Sequence, residues 1–262
     1  MALRCVYTDL DGTLLGHGAS LFADYEGNFS MMQARALEAC SRAGVEVVIM
    51  SGRRRVQVQT SFIYEAGSAF SMDRETTLMT GDFEHHPDKN VVEQMSERGV
   101  PELLFEKYDG TLEFHEPWHE GREMSHLFRG KVDVEEVNVM LSEEGHGDLR
   151  LLDNGAIGRP MPGIEITHCY HLVPKGVSKS RAVAAHAAAR GYAKEETIAV
   201  GDSAEDLEVA RSVGTFYVVA NGPERDAGLK ATLSQHANAV VTEGRAGDGF
   251  YEAIVTSLVS GQ

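Results

Sequence analysis

An open parallel α/β sheet with a smaller α+β unit inserted into it is the fold class the sequence predicts, and three observations predict it. Short apolar runs stop abruptly at small polar turns, at Thr8-Asp9, Met50-Ser51 and Val200-Gly201. Stretches of helical character alternate with those runs at both ends of the chain, as in a sheet covered by helices on both faces. Residues 82–172 have a different texture, with two candidate helices set among short alternating runs.

The elements follow in order. Arg4 to Thr8 is a β-prone run that ends at Asp9. A helix is expected from Ser30, a natural N-cap, to Ala43, with Gly44 suited to the C-terminal cap. Val45 to Met50 has strand length and is apolar except for Glu46, as in a strand buried on both faces. In the middle segment, Asn90–Arg98 and Asp133–Glu144 read as helices, and Thr111–His115, Leu149–Asp153 and Ile164–Tyr170 as alternating runs. Beyond it, Ser178 to Arg190 is alanine-rich and helical, closed by Gly191. Thr197–Val200 is a strand, Ala204–Val213 a helix, Thr215–Ala220 a strand, Ala239–Val241 a last short strand, and a helix starts near Asp248. The expected division is therefore a core of residues 1–81 and 173–262 and an inserted unit of residues 82–172.

Composition narrows the function. With 262 residues and 42% hydrophobic content, the chain can build a large core. A net charge of -16 argues against general affinity for nucleic acid or an anionic membrane, yet allows a locally positive pocket for a small anion. Cys5, Cys40 and Cys169 are scattered and lack metal-ligand spacing, which suits a reducing cytosol. No signal peptide or run of transmembrane length is expected, so the chain reads as cytoplasmic.

In an open parallel sheet, ligands bind beyond the carboxyl ends of the strands. Three polar clusters fall there, Asp9-Leu10-Asp11-Gly12-Thr13, Ser51-Gly52-Arg53 and Gly201-Asp202-Ser203-Ala204-Glu205-Asp206, and Lys179 joins them from a helix start. Together they offer carboxylates, a hydroxyl, a cation and loop amides, the set that Mg²⁺-assisted phosphoryl transfer needs. Asp9 and Asp11 lie two apart past a strand, so one carboxylate can attack phosphorus while the other handles protons. Asp202 can share a metal with Asp9, and Asp206 lies one helical turn further on. Ser51, with the amide of Gly52, can hold nonbridging oxygens, and Lys179 can stabilise charge on nucleophile and phosphate.

This order and spacing resembles the haloacid dehalogenase-like superfamily. Asp9-Leu10-Asp11-Gly12-Thr13 is similar to its first motif, Ser51 in Met50-Ser51-Gly52-Arg53 to its second, Lys179 in Lys175-Gly176-Val177-Ser178-Lys179 to its third, and Asp202 with Asp206 to its fourth. The large insert between the second and third motifs resembles the type IIB cap subfamily, which includes Cof-like, sucrose-phosphate and mannosyl-3-phosphoglycerate phosphatases. The resemblance implies a Rossmann-like core, with Asp9 as nucleophile and Asp11 as general acid/base. It implies Mg²⁺ on Asp9, Asp202 and the backbone carbonyl of Asp11, oriented by Asp206, with Ser51, Gly52 and Lys179 on phosphate. The substrate it implies is a small phosphorylated metabolite, a sugar phosphate or phosphorylated sugar acid. Two positions depart from the family pattern. Glu205 replaces a usual Asn, adding negative charge near the metal, and a usual Gly-Asn-Ala stretch appears as Ala220-Asn221-Gly222.

Each residue also has a plainer reading. An isolated Asp-x-Asp-Gly-Thr can be a turn; all four clusters in order argue otherwise. Ser51 can be an N-cap, and Asp206 can simply favour a helix start. Lys175 competes with Lys179, whose place at the helix start is the better match. Arg53 and Asn221 are further candidate substrate contacts, with a loop-bracing salt bridge as the other reading for Arg53. His115, His119 and His126, with Trp118 and Arg122, form a polar-aromatic stretch that can line a substrate pocket. Arg129, Lys131, Arg150 and Arg159 can receive a second anionic group, or be solvated. Two rival functions remain at this level: a phosphomutase of the phosphomannomutase type, and a regulatory protein that uses Asp9 as phospho-acceptor.

Overall fold

The computed structural model describes residues 2–54 and 61–260. Its larger sheet has eight strands. At the centre lies β1 (Cys5–Asp9), paired in parallel with β2 (Glu46–Met50) on one side and with β10 (Thr197–Gly201) on the other. Parallel pairing continues outward from β2 to β3 (Phe62–Tyr64), and from β10 through β11 (Thr215–Val218) to β12 (Ala239–Val241). A hairpin of β4 (Ala69–Met72) and β5 (Glu75–Leu78) closes the far edge in antiparallel fashion. Connections leave β1 and β10 in opposite directions, so the crevice between their carboxyl ends is the sheet's switch point.

The pleat explains why these strands read as continuous apolar runs. Cys5 and Tyr7 pack with Ala182, Val183 and Ala187 of α5 (Lys179–Arg190) on one face. Val6 packs with Ala36 and Cys40 of α1 (Met32–Ala43), and with Phe250 and Ile254 of α9 (Ala246–Ser260), on the other. Both faces are covered, so alternation disappears. Gly44 and Gly191 end their helices in the left-handed conformation, at φ 67° and 66°, as their sequence positions suggest.

A second, four-stranded antiparallel sheet forms the cap, in the order β6 (Leu112–Phe114), β7 (His126–Gly130), β9 (His168–Pro174) and β8 (Leu149–Ala156). Three helices accompany it: α2 (Val91–Glu97), α3 (Val100–Lys107) and α4 (Val134–Glu143). Asn90 and Glu93 build a capping box on α2, and Asp133 caps α4. The two linkers run side by side, with the Asp82 amide donating to the Lys175 carbonyl at 3.0 Å. Phe62 and Tyr64 of the larger sheet share one apolar cluster with Met95, Leu104, Phe128 and Tyr170 of the cap.

Several elements differ from expectation. α1 begins at Met32, because the Ser30 amide is drawn to the Phe22 carbonyl and leaves its hydroxyl only a 3.3 Å contact with the Met32 amide. The helix expected over 204–213 is one turn, α6 (Ala204–Leu207), followed by 3-10 geometry over Glu208–Ser212 that ties Ser212 to Ser180. Two short helices, α7 (Asn221–Arg225) and α8 (Ala227–Thr232), fill the connection before β12. β3, β4, β5, β7, α3, α7 and α8 were not separated by sequence pattern; each is eight residues or fewer, too short to show a period. The run at Ile164–Tyr170 becomes strand only from His168.

Candidate active site

Register brings the polar clusters together. In the β1–β2 pairing Asp9 stands opposite Met50, so Ser51 emerges beside Asp9. On the other side Thr8 stands opposite Val200, which places Asp202 next to Asp9 across the switch point. Gly12, at φ 84°, turns the chain away, and a Cβ there would lie 2.6 Å from a carboxylate oxygen of Asp202. Only glycine allows that approach. Gly67, at φ 85°, passes so close to the backbone of Ser178 and Lys179 that a Cβ would lie 2.3 Å from the Ser178 carbonyl carbon, which fixes the start of α5.

Lys179 is buried, and its ammonium lies 2.8 Å from Asp206, 3.4 Å from Asp9 and 3.7 Å from Glu205. Burial pulls its pKa down, but the carboxylates of Asp206, Glu205 and Asp9 outweigh that and hold it well above the usual lysine value. Lys175, its competitor in sequence, is exposed. Burial pushes the Asp9 carboxyl well up despite Lys179, with Asp206, Asp202 and Asp11 adding to the rise. Asp202 is pushed up to about 6, first by burial and then by Asp206. Among the described residues its ion-pair partner is Arg225 of α7, at 2.5 Å.

Oxygens of Asp9, Asp202 and Asp206 lie within 4.8 Å of one another, all three on buried residues. Three close carboxylates, partly balanced by one lysine and one half-exposed arginine, form a hard oxygen donor set, which fits Mg²⁺. Asp206 is also gripped locally, accepting from the Ser203 hydroxyl at 2.6 Å. Glu205 points towards Lys179 and raises the local negative charge, and burial raises its own pKa.

Asp11 differs from Asp9 in exposure: its side chain is 56% accessible, and Arg53 clasps it with two bonds of 2.6 and 3.0 Å. Arg53 therefore braces Asp11. Ser51 is buried, with its hydroxyl accepting from the Arg53 amide at 3.2 Å. Asn221 is fully buried; its amide nitrogen donates to the Gly12 carbonyl and its oxygen accepts from the Ala246 amide. Its bonds tie the first motif's loop to α9.

Above these residues lies a cavity of about 360 Å³, lined by Asp11, Ser51, Gly52 and Arg53 from below and by cap residues including His115, Trp118, Arg122 and His171. The polar-aromatic stretch of the cap thus divides. His115, Trp118 and Arg122 reach the cavity, whereas His119 and His126 stack with Phe114 inside the cap. Of the four basic residues, Arg129 pairs with Glu113, Arg150 donates to the Val177 carbonyl, Lys131 is exposed, and Arg159 is exposed with its guanidinium 4.4 Å over the Trp118 ring. Cys169 and His171, two apart on β9, both face the cavity by the period of a strand. Sequence reasoning missed them, together with Asn154, Leu127 and Arg225; only the β9 alternation offered a signal. A larger groove, about 680 Å³, lies elsewhere in the cap, lined by paired charges such as Arg98 with Asp148 and Lys89 with Glu97.

Residues 165–254 match the family model of haloacid dehalogenase-like hydrolases. A protein of Methanoculleus marisnigri named phosphoglycolate phosphatase is 27% identical over 96% of this chain and 95% of its own length. One of Archaeoglobus fulgidus with the same name is 25% identical over 96% and 95%. Among solved structures, the sucrose-phosphatase of Synechocystis, in complex with sucrose and phosphate, shares the fold with a TM-score of 0.68 at 14% identity, covering 98% of each chain. A Thermoplasma acidophilum protein shares it with a TM-score of 0.67 at 15% identity, over 98% of this chain and 99% of its own.

Proposed function

We propose that the chain is a phosphatase of the haloacid dehalogenase-like hydrolase kind, and that it hydrolyses a small phosphorylated metabolite through an aspartyl-phosphate on Asp9. The observation that carries this reading is the juxtaposition of buried Asp9, Asp202 and Asp206 with Lys179, beside the more exposed Asp11.

A carboxylate oxygen of Asp9 attacks phosphorus, and the bond from phosphorus to the leaving oxygen breaks. Asp11 delivers a proton to that oxygen. Asp11 then takes a proton from water as the water oxygen attacks phosphorus, the bond to Asp9 breaks, and inorganic phosphate leaves. Ser51 and the amide of Gly52 hold the nonbridging oxygens, while Lys179 offsets charge between Asp9 and the phosphate. Asp9, Asp202 and the backbone carbonyl of Asp11 would hold Mg²⁺, with Asp206 orienting its surroundings. Bound there, the cation supplies positive charge against the repulsion between carboxylates and phosphate. The cap, residues 82–172, selects the leaving group and keeps bulk water from the cavity. The three cysteines are free and buried, and no described helix is long and apolar enough to cross a membrane.

For the substrate, we place a carboxylated phosphomonoester of the phosphoglycolate kind first and a sugar phosphate second. The relatives' names support that order, as does Arg159, an exposed guanidinium held over the ring of Trp118, which itself lines the cavity. The test is phosphate release from phosphoglycolate, sugar phosphates and phosphorylated sugar acids, with and without Mg²⁺, beside Asp9→Asn. The reading expects metal-dependent release that vanishes in the variant. Transfer of the phosphoryl group to a second sugar position, without free phosphate, would replace it with a mutase.

A further inference from the structure

Two buried ionic groups cross the boundary between core and cap at the cavity. Glu65 follows β3, is fully buried and sits in the left-handed region at φ 47°. Its carboxylate accepts from the amides of Glu123, Met124 and Ser125 at 3.0, 2.8 and 2.7 Å, and from the Ser125 hydroxyl at 3.0 Å. Its own amide donates to the Arg53 carbonyl at 3.1 Å, and the next amide, of Ala66, to the Ser51 carbonyl at 3.4 Å. One residue therefore holds the Ser51–Arg53 loop by its backbone and the cap by its side chain.

Arg122 reciprocates from the cap. Its guanidinium donates to the Gly52 carbonyl at 2.9 Å, to the Ser125 hydroxyl at 3.0 Å and to the Trp118 carbonyl at 3.1 Å, and it lies 4.0 Å from Glu65. Arg122 is only 7% exposed. On the other side of Gly52, a Cβ would lie 2.8 Å from the His171 imidazole, so Gly52 is enclosed by two cap side chains. A buried guanidinium must keep its acceptors, because an unmade bond there leaves a charge without solvent or partner. Arg122 spends Nε and both terminal nitrogens on protein oxygens. That is the pattern of a group that sets a loop, whereas exposed Arg159 has the accessibility to meet a leaving group.

We propose that Arg122 is a positioning residue for phosphoryl transfer. By holding the Gly52 carbonyl it aims the Ser51–Gly52 loop at the phosphate. Because it belongs to the cap and is registered there by Glu65, the phosphate loop takes its working shape only with the cap seated. The inference rests on Ser51–Gly52 being the phosphate-binding loop, so Ser51→Ala is its control.

The experiment compares kcat and KM of wild type, Arg122→Met, Arg122→Lys and Ser51→Ala on phosphoglycolate and on para-nitrophenyl phosphate, together with inhibition by orthovanadate. Measurements are made well below each variant's Tm. Arg122→Met is expected to lower kcat/KM roughly 10–100-fold by a similar factor on both substrates, and to weaken orthovanadate inhibition. Arg122→Lys, which keeps a donor for the Gly52 carbonyl, restores part of the loss. A loss confined to phosphoglycolate overturns the proposal and makes Arg122 a leaving-group contact. Unchanged kinetics with a lowered Tm overturn it in favour of a merely structural role. If Ser51→Ala leaves both reactions intact, the reading of the phosphate loop has failed, independently of Arg122. Should Arg122→Met not fold, Glu65→Gln tests the same linkage, with a parallel loss on both substrates expected and an unchanged phosphate site contradicting it.

Discussion

Asp9 and Asp11 are the same residue type two positions apart, and the fold gives them different surroundings, which the proposed mechanism turns into different work. Asp9 is buried against Lys179 and two further carboxylates, whereas Asp11 stands half in solvent under the fork of Arg53. A buried carboxylate aimed at the phosphate site suits attack, and an accessible one suits exchange of protons with leaving group and water. Asp11→Asn should therefore lower turnover on an alkyl phosphate roughly 10²–10⁴-fold. On an aryl phosphate, whose leaving group needs little protonation, the first step should survive better and phosphorylated protein should accumulate. A rapid-mixing burst of phenolate checks this; equal loss in both steps and on both substrates would refute the division of roles. That the carboxylates, Ser51 and Lys179 meet at one edge was legible because each sits at the end of a short strand or the start of a helix. Glu65 and His171 were assigned no role there, and Arg122 only a place in a pocket-lining stretch, because their contacts join segments 58 to 119 residues apart.

At the scale of elements, the cap shows what a local pattern conceals. Histidines at 115, 119 and 126 look like one cluster in sequence, but β6 and β7 sort them. His119 stacks on Phe114 with centroids 3.9 Å apart and lies 5.2 Å from His126, while His115 faces the cavity. Burial pulls His119 down to about 4 and His126 down to about 3. An unfolded histidine titrates near 6.5, so between these values the unfolded chain binds protons that the folded cap does not. The cap's contribution is complete above about pH 6.5 and is lost as pH falls towards 4, at up to about 1.4 kcal/mol per pH unit for buried His126. The raised carboxyl of Asp202 acts in the opposite sense, destabilising as pH rises towards 6, so the difference between variants isolates the cap. His126→Phe should lose less Tm than wild type between pH 7 and pH 5. Parallel pH profiles would show that these imidazoles are not buried in the neutral form. Elsewhere the helix ends at Gly44 and Gly191 were legible, because a left-handed cap is a local property, whereas strands of three or four residues are defined only by their partners.

For the whole molecule, a parallel sheet with its switch point between β1 and β10 gathers the chemistry at one edge, and the insert places a second sheet above it. The core and cap share an apolar cluster through Phe62, Tyr64, Phe128 and Tyr170, and beside it run the bonds of Glu65 and Arg122. An apolar seam of this kind restrains relative motion more than a polar one does. The catalytic account therefore depends on one covalent event at a single place in this assembly. The measurement that tests it most directly mixes the protein with Mg²⁺ and substrate, quenches within milliseconds, traps acyl phosphates by borohydride reduction, and locates the reduced residue by peptide mass. The account expects homoserine at position 9 and at no other carboxylate, with none in Asp9→Asn. Phosphate release without any trapped residue, or trapping at Asp11, Asp202 or Asp206, would contradict it.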